Sequence, residues 1–358
     1  MSSYSSQTSA EQVAQDCQDA IANKTVLVTG VSPGGLGAEF AKVIAIHGPS
    51  LLILASRDIV KAQQTAQEIA DIAPGVPTRL LELDLRSQAQ VRIAAKEVLT
   101  YKEDIDVLVN NAGVMASPLS LTDDGIESQF ATNHVGHFLF TNLIMKKLVV
   151  PGKSCRVVNV SSNGHLLSSV RFHDWNFDEG KNYDPWLAYG QSKTANMLFS
   201  VSLAQKLGSK GLTSVSLHPG TINTNLARGD WNEMYESLVV KPEEVRSWAR
   251  DQIEAERLWK LTEDIVDKVS AHTNGPGRDV SPGTGLAYHN SGRDHPNQLT
   301  YIISSSDAAG AEGDGSQRHG LVTTWPLPGC HPGITSIEPI GMSAHINNGQ
   351  FQPSRYPS

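Results

Sequence analysis

Short apolar runs recur along the chain, separated by longer stretches whose apolar positions repeat with a helical period. The runs predict strands over Thr25–Thr29, Leu51–Ala55, Arg79–Leu85, Ile105–Asn110, Arg156–Val160 and Thr213–Leu217. The intervening stretches predict helices over Gly37–His47, Asp58–Ala70, Ser87–Thr100, Gly125–Leu148 and Ala188–Leu207. In the last, Met197, Leu198, Val201, Ala204 and Leu207 fall on one helical stripe. Strands alternating with helices point to an α/β fold, a parallel sheet with helices on both faces. The strand runs are apolar almost throughout, as strands buried on both sides must be.

Outside this alternation the pattern changes. Residues 1–24 read as a polar N-terminal extension with a short helix, Ala10 to Ala22. Residues 163–188 form a loop-like insertion carrying Trp175, Phe177, Tyr183, Pro185 and Trp186, which either lines a substrate pocket or packs on itself. Residues 271–298 and 305–335 are rich in Gly, Pro, Ser, Asp and His, with only Leu299–Ser304 and Leu321–Thr324 resembling strands. The expected organisation is therefore an extension (1–24), one domain (25–270) and an atypical, partly disordered C-terminal extension (271–358).

Composition narrows the class. A chain of 358 residues, 39% hydrophobic and 18% charged, is globular. A net charge of −8 without a Lys/Arg run argues against a nucleic-acid partner. Three scattered cysteines (Cys17, Cys155, Cys330) fit a reducing compartment better than a disulfide framework or a zinc site. The start is polar and the longest apolar run, Leu51 to Ala55, is too short to span a bilayer, so a soluble cytoplasmic protein is expected.

The first strand runs into Thr29-Gly30-Val31-Ser32-Pro33-Gly34-Gly35-Leu36-Gly37 and a helix. Such a turn lets backbone approach a pyrophosphate, and the helix start supplies free N–H groups, so Gly30, Gly35, Leu36 and Gly37 are candidate dinucleotide contacts. Twenty residues after Gly37, the second strand ends in Ser56-Arg57-Asp58. Arg57 suits the 2′-phosphate of NADP, while Asp58 keeps NAD open. Asp84 ends the third strand and either accepts the adenine amino group or caps the next helix. Asn110-Asn111-Ala112-Gly113 ends the fourth, placed to flank the adenine ribose.

Tyr189 and Lys193 are four apart, on one face of a predicted helix. An ammonium near a phenol favours the phenolate, which makes Tyr189 a candidate general acid/base. His134 and His137 lack metal-ligand spacing partners and read as packing residues.

The glycine turn, Asp84, N-N-A-G, Ser161-Ser162, Y-x-x-x-K and His218-Pro219-Gly220 together resemble the short-chain dehydrogenase/reductase family over roughly residues 20–228. Asn133-His134-Val135-Gly136-His137-Phe138 is similar to its retinol dehydrogenase and WW-domain oxidoreductase branch, fungal members especially. The resemblance implies a Rossmann-type doubly wound sheet. It implies Tyr189 as proton donor or acceptor, with Lys193 lowering its pKa and holding the nicotinamide ribose. Ser162 would bond the substrate oxygen, Asn133 would anchor a relay water, and Gly220, Ile222 and Thr224 would contact the nicotinamide end. Bland alternatives are a strand-end cap for the serines and a buried helix amide for Asn133.

Two departures from the family pattern stand out. Four residues, Val31 to Gly34, separate Gly30 from Gly35, one more than usual. Glu254–Leu261 looks like a helix that in fungal relatives follows the seventh strand, so that strand is expected to be missing or replaced by Leu299–Ser304, with an open sheet edge as the consequence. The resulting expectation is an NADP-dependent oxidoreductase interconverting a carbonyl and an alcohol on a small apolar molecule, of the kind met in secondary metabolism. A catalytically silent dinucleotide-binding scaffold is the alternative. A sugar-nucleotide epimerase or dehydratase fits the N-N-A-G run less well. Homo-oligomeric assembly stays open.

Overall fold

Strands and helices alternate in the computed structural model as they do in the sequence, over the described residues 4–5, 8–220, 222, 226, 245–273 and 301–303. The strands are β1 (Thr25–Thr29), β2 (Leu51–Ser56), β3 (Thr78–Glu82), β4 (Val107–Asn110), β5 (Cys155–Val160), β6 (Leu212–His218) and β7 (Tyr301–Ile303). They form one sheet in the order β3-β2-β1-β4-β5-β6-β7, with every neighbouring pair parallel. The chain builds outward from β1 to β3, then returns beside β1 as β4 and builds the other way. Strand order thus reverses between β1 and β4, where the ends of two neighbouring strands part and leave a crevice.

Side chains alternate between two cores, as the pleat requires. Val26, Val28, Leu52, Leu54, Val107 and Val109 face one side, packed under α1 (Ala10–Asp16), α3 (Leu36–Ala45) and α4 (Ile59–Ile72). Leu27, Ile53, Leu81, Leu108 and Val157 face the other, under α5 (Gln88–Thr100), α7 (Gly136–Leu143), α9 (Pro185–Leu207) and α10 (Gln252–Thr273). The N-terminal extension docks rather than trails: Val13, Ala14 and Cys17 are buried, as is Ile21 of the short α2 (Gln18–Ile21).

Helix starts follow their caps. Asp58 accepts the N–H groups of Val60 and Lys61, Ser87 that of Gln90, and Asp184 those of Trp186 and Leu187 ahead of a proline in the first turn. The helix expected over Gly125–Leu148 is instead broken. Glu127 caps a short α6 (Ser128–Phe130), a π-helical turn follows over Ala131–Val135, and α7 and α8 (Met145–Leu148) complete it. α9 is not amphipathic in the expected way. It is buried on nearly every side from Ala188 to Leu203, because α10 covers the face that a surface helix would show to water.

Of the two expectations for the seventh strand, missing or replaced by Leu299–Ser304, the second holds. α10 precedes Tyr301–Ile303, which lies within the alternative segment Leu299–Ser304 and pairs in parallel with Ser216–His218. The sheet therefore takes a strand from beyond residue 270, and α10 itself runs past that boundary to Thr273. The expected strand Leu321–Thr324 and the rest of the expected C-terminal extension lie outside the described residues. The insertion at 163–188 mostly packs on itself. Phe177 is fully buried against Tyr183 and under the Arg171 guanidinium, and Trp175 lies against Phe130.

α10 is anchored by Trp259, which is 4% exposed and lies 4.9 Å from the Phe138 ring and 6.1 Å from that of Phe199. Its indole N–H donates to Glu263 at 2.7 Å. Trp259→Ala is expected to destabilise the protein by about 3–5 kcal/mol in urea unfolding, through lost burial and an unfilled cavity. A loss under about 1 kcal/mol would show that α10 does not complete this core.

Candidate active site

The ends of β1, β4, β5 and β6 meet the start of α9 at the crevice. The glycine turn sits at its base. Gly35 donates its N–H to the Ser32 carbonyl at 3.0 Å, and Gly34 has φ +74°. With Pro33 before it, Ser32–Gly35 is a type II turn, whose third position needs the left-handed backbone that glycine allows. Thr65 of α4 secures it by donating its hydroxyl to the Val31 carbonyl at 2.7 Å. Gly35 is the N-cap of α3 and offers no side-chain acceptor, so no side chain caps the start of that helix.

Arg57 and Asp58 separate in role. Asp58 spends one carboxylate oxygen on capping α4, at 3.1 and 3.3 Å, whereas Arg57 is exposed at the end of β2. Asp84 does not cap α5, since Ser87 does. One of its oxygens accepts the Arg86 N–H at 3.0 Å. The Asn110 side chain is 2% exposed and donates to Thr141 and Asn159, so its amide points into the core and only its backbone is left to face the crevice. Its neighbour Asn111 reaches the glycine turn instead, donating to the Thr29 and Gly30 carbonyls at 2.8 and 3.1 Å. Residues one apart on a strand face opposite ways, so only one of the two amides turns into the core.

Tyr189 and Lys193 lie together on α9, both 4% exposed, with the ammonium 5.5 Å from the centre of the phenol ring. Lys193 Nζ donates to the Val160 carbonyl at 3.1 Å. Burial pushes this ammonium down from 10.5 to about 8. Gly164 makes the ring's position possible: a Cβ there would stand 2.6 Å from Tyr189 Cε1. Ser162 caps the short 3-10 turn Asn163–Leu166 by accepting the Gly164 N–H at 3.1 Å, which leaves its own hydrogen to donate. Ser161 turns away and donates to the Lys193 carbonyl. Trp186 is the one aromatic of the insertion set that stands beside Tyr189, edge-on at 6.3 Å.

Asn133 sits inside the π-helical turn, completely buried. Its Oδ1 accepts the Val114 N–H at 2.8 Å, and its Nδ2 donates to the Val114 carbonyl and to Ser192 Oγ, both at 2.9 Å. It is a structural amide in addition to any role at the site. His134 bonds Thr262 and His137 bonds Thr29, and burial pushes the two imidazoles down to about 3 and about 4. Among the described residues no group of His, Cys, Asp and Glu side chains could hold a metal. His218 closes the far side. Burial, then His165 and Lys193, push it down to about 4, and its Nδ1 has no hydrogen-bond partner among the described residues. Gly220 follows with φ +89° and Ile222 is half-buried, while Thr224 lies outside the described residues.

A sequence profile of short chain dehydrogenases matches residues 24–174. The short-chain dehydrogenase/reductase prx1 of Penicillium roqueforti is 42% identical over 237 residues, 65% of each chain. Retinol dehydrogenase 11 of Homo sapiens is 42% identical over 205 residues, 57% of this chain and 63% of that one. The chain thus spans 65% and 63% of the lengths of these two relatives. A crystal structure of an uncharacterised protein from Mycobacterium paratuberculosis shares 36% identity and a TM-score of 0.55, over 69% of this chain and 94% of that one.

The buried ammonium makes a stability prediction. Because the folded value of Lys193, about 8, lies below the ordinary 10.5, the unfolded chain binds the extra proton between those values. Stability then rises with pH through that window, and the penalty is complete below it. Lys193→Met is expected to be more stable than wild type at neutral pH by up to about 3 kcal/mol. Asn196 still donates to the Val160 carbonyl at 3.0 Å, so no acceptor is orphaned. Urea unfolding across this range should show the gain shrinking as pH climbs from about 8 to 10.5 and vanishing above it. A destabilised Met variant, or a gain independent of pH, would mean that the ammonium is not held against its preference.

Proposed function

The chain belongs to the short-chain dehydrogenase/reductase family, in its retinol dehydrogenase-like branch, and from that premise we propose that it is an NADP-dependent oxidoreductase interconverting a carbonyl and an alcohol on a small apolar molecule. The observation that carries the proposal is the burial of Lys193 beside Tyr189 where four parallel strands end.

The crevice fits a dinucleotide. The uncapped start of α3 supplies N–H groups and a positive dipole end for the pyrophosphate. Exposed Arg57 supplies a cation for a 2′-phosphate, and Asp58, engaged as a cap, is poorly placed to take a ribose hydroxyl in its stead. Asp84 keeps a carboxylate oxygen for the adenine amino group. Gly220, Ile222 and Thr224 are the proposed contacts for the nicotinamide end. When bound, the nicotinamide supplies or takes up the hydride.

The chain's own residues handle the proton. Ser162 donates its free hydrogen to the substrate oxygen and fixes it near the phenol. Tyr189 gives its proton to that oxygen as the carbonyl carbon gains a hydride, so a carbonyl, a hydride and a proton become an alcohol. Lys193 stabilises the phenolate left behind, an effect that burial strengthens because no water screens it. The reverse direction uses the same groups in opposite roles. Trp186 and the buried wall around Tyr189 favour an apolar substrate, consistent with the retinol dehydrogenases among the relatives. Residues 25–270, with β7, are read as the catalytic domain. No helix among the described residues is long and apolar enough to cross a membrane.

Titration with NADPH and NADH by nucleotide fluorescence tests the cofactor, and Tyr189→Phe tests the chemistry. Arg57→Ala is expected to weaken NADPH binding about 10- to 100-fold and leave NADH within about threefold, by loss of a charge-assisted phosphate bond. Tyr189→Phe is expected to lower turnover of a carbonyl panel by about 100-fold or more with NADPH binding kept. Failure of the folded protein to bind either nucleotide would overturn the reading, and equal effects of Arg57→Ala on both would overturn the NADP assignment.

A further inference from the structure

His137 of α7 joins Thr29, at the end of β1, to the π-helical turn through a bond whose direction is fixed. Thr29 Oγ accepts the N–H groups of Asn111 and Ala112, each at 3.0 Å. Both lone pairs of the hydroxyl are therefore used, and its one hydrogen must be donated. Its two acceptors are the Val109 carbonyl at 3.4 Å and His137 Nε2 at 2.9 Å. The imidazole is the nearer and better placed. A bare Nε2 leaves the proton of the neutral ring on Nδ1, which stands 3.1 Å from the Asn133 carbonyl and donates to it.

That carbonyl belongs to the π-helical turn, where the regular ladder is interrupted and backbone groups need other partners. The Asn133 side chain continues the chain of bonds through Nδ2 to Ser192 Oγ, which in turn donates to the Tyr189 carbonyl at 2.7 Å. The imidazole is 2% exposed and held neutral by burial, so it acts as a fixed strut with one donor end and one acceptor end.

We propose that His137 is a positioning residue for the reaction: by holding the Asn133 carbonyl against the end of β1, it sets the placement of Asn133, Ser192 and thereby the Tyr189–Lys193 pair relative to the nucleotide turn. It touches neither substrate nor cofactor. The inference rests on the oxidoreductase reading above and adds a residue to it.

Two substitutions separate its two ends. His137→Leu removes both bonds. His137→Asn removes the Thr29 end but keeps a donor four residues from its acceptor, a geometry that Asn142 already adopts in the same helix, donating to the Phe138 carbonyl at 2.9 Å. Turnover per NADPH-binding site, nucleotide affinity and unfolding stability are measured for both, with carbonyl reduction as the assay. His137→Leu is expected to lower kcat about tenfold or more and to displace the pH profile, while the NADPH Kd changes by less than about threefold. His137→Asn is expected to recover kcat to within about threefold of wild type. Equal losses in both variants, or losses that follow stability with an unmoved pH profile, would reduce His137 to a packing residue and overturn the proposal. So would wild-type turnover in His137→Leu. A wild-type protein inactive on every carbonyl would overturn the oxidoreductase reading, and this one with it, before the variants are compared.

Discussion

An ammonium held out of water is the constraint around which the site is built. Lys193 is placed on a helix that is itself buried, and its charge finds one carbonyl donor-acceptor bond and an aromatic face where water would offer three bonds. A charge in that position is unfavourable unless something at the site needs it. The rest of the architecture makes the position attainable. α10 closes over α9 through Trp259, the 3-10 turn with Gly164 lets the Tyr189 ring settle against backbone, and the parallel ends of β5 and β6 supply the wall. Burial of that ammonium opposes folding, and the proposed role of the Tyr189–Lys193 pair would account for its retention.

The second organising element is the hydrogen-bonded seam between β1, β4 and the π-helical turn. Thr29 accepts from the backbone of Asn111 and Ala112, while Asn111 returns bonds to the Thr29 and Gly30 carbonyls. Two strand ends that must diverge at the switch point are thereby stitched together by side chains rather than by the sheet. Asn133 does the same for the loop at Val114. The glycine turn and α9 are positioned by one set of short polar links, which is how a rigid site can be made from residues far apart in the chain.

Much of this was legible in the sequence. The apolar runs located β1, β2 and β4 to β6 within two residues, and the glycine turn, Arg57 and the Tyr189–Lys193 pair fell where the pattern placed them. What the sequence concealed has physical causes. Nothing local distinguishes Asn110 from Asn111 until strand pairing decides which amide faces the core. The π-helical turn interrupts a run that reads as one helix, because nothing in Ala131–Val135 marks the extra backbone residue locally. α9 reads as amphipathic, but Trp259 and its neighbours arrive from some sixty residues away to bury the face that looked exposed. The seventh strand is short, and its pairing with β6 depends on a partner that periodicity does not show.

The most direct test of the account is a titration of the Lys193 ammonium itself, by NMR of the labelled side chain, in the free protein and with NADPH bound. The expected result is a midpoint near 8 in the free protein that rises when the nucleotide brings acceptors and negative charge to the site. A midpoint at the ordinary 10.5 in both states would contradict it, since the lysine would then be solvated and the crevice would not be the dry, charged site described.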